Sequence, residues 1–124
     1  MNLTEKEIRD YRLVNHQLTV GNFSSPVELL EWMGAIQAQD RQMANWALGL
    51  RLRNKTLNDI HQSYDQGEIV RTHVLRPTWH MVPARDIQWM LALTAPGIKS
   101  GMNSRLQQLE LDTKTLNRCT EKLS

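Results

Sequence analysis

The sequence predicts an α+β chain, mostly α, with helices on both sides of a short β-hairpin. Three observations lead there. Residues suited to cap a helix precede apolar-periodic stretches, most clearly at Thr4, Ser25 and Thr56. The pattern then changes over residues 69–82, where β-branched and aromatic side chains gather. Beyond Pro83 the apolar spacing is helical again.

Taken in order, Thr4 and Glu7 have the spacing of a capping box before Ile8, Tyr11, Leu13 and Val14, so a first helix is expected to about residue 17. Gly21-Asn22-Phe23-Ser24 reads as a loop. Ser25 caps the next helix, with Pro26 at its first position and Glu28 completing a second box; it is expected to reach about residue 37. A third helix is expected over residues 43–52, and a fourth from Leu57, capped by Thr56 and stopped by Gly67. Residues 69–74 and 78–82 form the two strands of a hairpin, turned by Leu75-Arg76-Pro77 and ended by Pro83. A helix resumes near Ala84 and is expected to break at Pro96-Gly97. A polar helix over 98–110 and a last one capped by Asp112 follow. Helices, a two-stranded wing and a further helix fit a winged helix-turn-helix unit.

Composition narrows the function classes. One domain is the default at 124 residues, and a net charge of +2 is too small for a purely electrostatic nucleic-acid binder. Cys119 is the single cysteine, so neither an intramolecular disulfide nor a cysteine-rich metal site is expected. His61 and His73 do not have zinc-ligand spacing, and no metal or cofactor is expected. No apolar run approaches the roughly 20 residues of a membrane span, and no export signal is visible. The expected location is the cytoplasm. From Ser100 onward apolar residues are sparse, and we expect residues 1–98 to form one domain, with 99–124 the start of a further helical segment of a longer protein. Trp32, Trp46, Trp79 and Trp89 are expected in the core.

Gln37 and Gln39 stand out. Leu29, Leu30, Met33 and Ile36 mark one face of the second helix, and Gln37 falls on that face four residues after Met33. A buried amide without partners costs about 1–3 kcal/mol, so polar organisation is expected there. On a continuous helix, residues 37 and 39 would point about 200° apart. Joint action on one water molecule therefore requires the helix to end by about Gln37, with Ala38 and Gln39 extended or in a turn.

The run Arg71-Thr72-His73-Val74-Leu75-Arg76-Pro77-Thr78-Trp79-His80-Met81-Val82-Pro83 closely resembles the hairpin of AlkZ-like winged-helix DNA glycosylases. The upstream Gln37-Ala38-Gln39 resembles the same family's Gln-apolar-Gln motif, and the resemblance covers most of residues 1–98. It implies hydrolysis of the N-glycosidic bond of alkylated bases, notably cationic N7-alkylpurines and, in some members, interstrand crosslinks. The implied partner is double-stranded DNA carrying such bases, bound by a monomer in the full-length form. Carried over by motif, Gln37 and Gln39 are the catalytic pair. Arg71, Arg76, Thr78 and His80 are candidate DNA contacts, although each also suits a purely structural place in a hairpin. Asp40 lies one residue beyond the position where some members carry an aspartate, and no role is assigned to it. The competing expectation is a DNA-binding or regulatory module without chemistry. Residues 57–66, at the position of a recognition helix, include Asp59 and Asp65 but no lysine or arginine, which suits a phosphate-lined groove poorly.

Overall fold

The computed structural model describes residues 3–19, 21, 23–75 and 77–123; Asn22 and Arg76, both named above, lie outside them. The elements run α1 (Glu5–Asn15), α2 (Pro26–Met33), β1 (Ile36–Gln37), α3 (Arg41–Gly49), α4 (Leu57–Asp65), β2 (Ile69–Thr72), β3 (His80–Pro83), a 3-10 turn (Ala84–Asp86), α5 (Ile87–Gly101), α6 (Asn103–Gln108) and α7 (Thr113–Leu123). The fold is α+β and mostly helical, with one small antiparallel sheet of order β1-β3-β2.

The caps behave as their sequences require. Thr4 and Glu7 form a reciprocal box at α1, and Thr56 forms one with Asp59 at α4. At α2 the division of labour shifts by one residue. Ser25 Oγ accepts from the Glu28 amide, but the Glu28 carboxylate accepts from the amide and hydroxyl of Ser24 rather than from Ser25. These bonds hold Glu7, Glu28 and Asp59 below the usual carboxylate values. Asp112 Oδ1 accepts from the Thr115 amide at the start of α7, as its position predicts.

Helix α2 stops at Met33, not near residue 37, because Gly34 takes φ 74° and ψ −57°, a conformation that carries the chain out of the helix. Ile36 and Gln37 then add a third strand beside β3, so the sheet is not the two-stranded hairpin expected. Gln37 is consequently exposed and extended rather than buried on a helical face. A Cβ on Gly34 would meet nothing within 4 Å, so the constraint at this position is purely conformational. Gly34→Ala is expected to cost about 1–3 kcal/mol in chemical denaturation, the strain of a sparsely populated φ/ψ region.

Packing divides at the sheet. One face joins Leu29 and Leu30 of α2, Ala44 and Leu48 of α3, Ile60 of α4, Ile69 of β2 and Met81 of β3 in a single apolar cluster. Each fully buried aliphatic side chain contributes about 1.5–3 kcal/mol of burial. The other face carries Val82, which packs with Val74, Met90 and Ile87 where α5 crosses. The Thr94 hydroxyl of α5 is shared between the carbonyls of Val74 and Met90, tying that helix to the connection that follows β2.

Several boundaries differ from expectation. Helix α3 starts earlier, at Arg41, because Asp40 rather than a later residue caps it. Pro83 belongs to β3, opposite Ile69 and two residues past Met81, the last residue paired with β1, so its missing N–H breaks no bond to that strand. Pro96-Gly97 does not interrupt α5. Pro96 deprives the Ala92 carbonyl of its helical donor, but Ala92 is exposed and solvent can reach it. The expected 98–110 helix is thereby split, its first turn belonging to α5 and the rest shortened to α6. Trp32, Trp46 and Trp89 are more than half exposed, a correction to their expected place in the core. Of the four tryptophans only Trp79 is partly enclosed. Helices α1, α6 and α7 bury no residue completely. Arg51 Nε holds α1 by donating to the His16 carbonyl, 2.8 Å away.

Candidate functional site

The two glutamines lie between the end of α2 and the start of α3, on a segment that leaves the sheet edge at β1. Extended backbone alternates its side chains. Ala38 therefore points into the core, fully buried, while Gln37 and Gln39 are both exposed. The condition set by the 200° separation is met by the backbone, since no helix runs through residues 36–40.

β3 supplies the facing residues. Gln37 pairs in register with His80, and His80 with Thr72, so one row of three side chains crosses the sheet on one face. His80 is only 4 % exposed. Its Nδ1 lies 2.8 Å from the Thr78 carbonyl, and because a carbonyl only accepts, Nδ1 carries the proton. In the neutral ring Nε2 is left as an acceptor. Thr78 Oγ1 is buried and finds no partner among the described residues. The Ala38 amide donates to the Trp79 carbonyl at 2.7 Å, and the Trp79 amide donates to the Gln39 side-chain Oε1 at 3.2 Å. Gln39 thus extends the ladder with its own side chain. Gln37 makes no side-chain hydrogen bond among the described residues.

Arg71 comes from β2, on the far side of the sheet. Its Nε donates to the Ala38 carbonyl at 2.8 Å and its Nη2 to the Gln39 carbonyl at 3.1 Å. The guanidinium lies 4.4 Å from the centre of the Trp79 ring, which also packs against His73 at 4.2 Å. Nearby, burial pushes the Tyr64 phenol up, against the opposing charges of Arg41 and then Arg71. Asp40, the nearest acid in sequence, has its carboxylate on the Met43 amide as the cap of α3. The patch therefore presents two neutral amides over a buried histidine and a buried threonine hydroxyl, with its adjacent carboxylate engaged elsewhere.

Gln37, Gln39, Thr78 and His80 are brought together, and Arg71 is bound to the same segment. The place of Trp79 beside the site and the two hydrogen bonds donated by Arg71 were missed by sequence reasoning. One signal was available: Arg71 follows Ile69 by two residues, so it falls on the core-facing side of β2. An arginine there needs internal acceptors. A cleft of about 680 Å³ lies between α3 and α4 beside Trp46, Leu50 and Leu57 and shares no residue with the glutamine patch. Among the described residues, no three His, Cys, Asp or Glu side chains gather to hold a metal ion, and no helix is long and apolar enough to cross a membrane.

Comparison with known families supplies the decisive observation. The family described as DNA glycosylase AlkZ-like matches residues 30–123, most of the chain. The chain belongs to the AlkZ-like DNA glycosylase family. The match extends past residue 98, the end of the resemblance read from the sequence, to include α6 and the whole of α7, and it leaves α1 outside. No curated protein and no solved structure matches the chain.

Proposed function

We propose that this chain is the N-terminal part of a monofunctional DNA glycosylase that hydrolyses the N-glycosidic bond of alkylated bases, with Gln37 and Gln39 as the catalytic pair. The observation that carries this reading is the pair of outward-facing amides at the end of β1 in a chain of this family. An amide has no useful pKa and cannot take a proton as a carboxylate does. It can orient a water molecule beneath the sugar carbon and turn a partly negative carbonyl oxygen toward the oxocarbenium-like centre. Such a site suits a base that already carries positive charge and leaves without protonation, such as an N7-alkylpurine. The same chemistry extends to crosslinked N7-alkylpurines. Water replaces the base, an abasic site remains, and no lysine Schiff base or cofactor takes part.

The order helix, strand, helix, helix, hairpin, given by α2, β1, α3, α4, β2 and β3, supports a winged-helix arrangement over residues 1–98, with the β2–β3 hairpin as the wing. Double-stranded DNA would meet it through Arg76, while Thr78, whose hydroxyl is buried, and His80, almost fully buried, would support that surface from beneath; the full-length protein would act as a monomer in the cytoplasm. One observation favours the competing reading of a binding module without chemistry: the Gln39 Oε1 bond to the Trp79 amide is itself a structural use for that side chain. Against major-groove binding stands α4, whose exposed Asn58, Gln62 and Asp65 offer no positive charge to phosphates.

The test is release of N7-methylguanine from a duplex by the full-length protein, read by chromatography of the free base. Release with an intact abasic strand is the expected result. Binding of the duplex with no release at all would leave the module reading in its place.

A further inference from the structure

We propose that Arg71 is a positioning residue that fixes the bend at Ala38-Gln39 and so aims the glutamines, rather than a contact to DNA phosphate. The inference rests on the glycosylase reading for its catalytic consequence, but its structural half stands on geometry alone. Successive carbonyls along a straight strand point in opposite directions. Here two successive carbonyls, of Ala38 and Gln39, reach one edge of a single guanidinium because the chain bends at Gln39. The planar fork of Nε and Nη2 matches that bend. Trp79 closes the circuit: its ring supports the guanidinium, its amide is held by the Gln39 side chain, and its carbonyl receives the Ala38 amide. The Gln39 backbone and side chain are therefore fixed at once by Arg71 of β2 and by Trp79, just before β3.

Arginine is specific for this place. Lysine keeps the charge but has a compact ammonium without a planar fork, and it cannot stack on the indole in the same way. A phosphate contact makes the opposite demand, since lysine neutralises a phosphate nearly as well. Among the described residues no carboxylate pairs with Arg71, so its placement depends on these carbonyls and the ring.

The experiment compares wild type, Arg71→Lys and Arg71→Gln in the full-length protein. It measures single-turnover release of N7-methylguanine at saturating protein, duplex affinity as a function of salt, and amide exchange at Ala38 and Trp79. For a positioning role, Arg71→Lys lowers the saturated rate roughly 10- to 100-fold. Its affinity and salt slope stay at wild-type values, and both amides exchange faster. An unchanged saturated rate, with weaker binding and a salt slope reduced by about one unit in Arg71→Gln, would overturn the proposal in favour of a phosphate contact. If the wild type releases no base, the glycosylase reading fails by itself. Faster exchange at Ala38 and Trp79 in Arg71→Lys then still supports the clamp, and unchanged exchange rejects it.

Discussion

Gln37→Ala is expected to lower single-turnover base release by about 100-fold or more, the scale of losing one oriented group at a reacting centre. It should do so without moving the unfolding midpoint. Gln37 is exposed and makes no side-chain bond among the described residues, so truncation removes nothing the fold uses, and a stability change within about 0.5 kcal/mol follows. Gln39→Ala is expected to behave differently. It loses activity too, but it also strips the Trp79 amide of its acceptor, a loss of about 1 kcal/mol for one hydrogen bond. Activity and denaturation measured side by side therefore separate the two glutamines. Base release unaffected in both variants would remove the catalytic assignment. Equal destabilisation by both would contradict the exposed setting of Gln37.

Met81→Ala is expected to cost about 2–5 kcal/mol, the largest stability effect of any single truncation at the sheet. Met81 is fully buried in the middle strand, opposite Ile36 on one side and Arg71 on the other. Its sulfur also accepts from the Tyr64 hydroxyl, which is half-buried and would lose that partner. Met81→Leu keeps most of the volume and should cost less than about 1.5 kcal/mol by packing alone. Urea denaturation of both variants checks the contrast. A loss under about 1 kcal/mol in Met81→Ala would show that the site collapses around the cavity.

Most helices were legible because their starts are written in short-range chemistry. Thr4, Ser25 and Thr56 announce their helices by a side chain that satisfies an amide three residues on, and that spacing is visible in the sequence. The hairpin was legible for a similar reason, since both strands lie within residues 69–83. Strand β1 was not. Ile36 and Gln37 continue an apolar helical spacing from Leu29, and only the positive φ at Gly34 ends it. A two-residue strand held by a partner 43 or 45 positions away leaves no local periodicity to read. Pro96 misled in the other direction, because a helix with an exposed carbonyl at the vacant position survives a proline that a buried one would not. At the site, the identity of the glutamines came from the motif, and the backbone condition on them came from geometry. The role of Arg71 could not come from either, because its two acceptors are main-chain carbonyls more than 30 residues away and any sequence supplies carbonyls.

The passage from Gly34 to Asp40 is bounded by a helix stop on one side and a helix cap on the other. Between those fixed points the side chains alternate, with Ala38 inward and its neighbours outward. Its length therefore carries information that its composition does not. One residue added or removed would turn the alanine out and drive an amide into the core, a reversal that no choice of side chain could repair. Substitution can vary along this segment, but its span cannot drift.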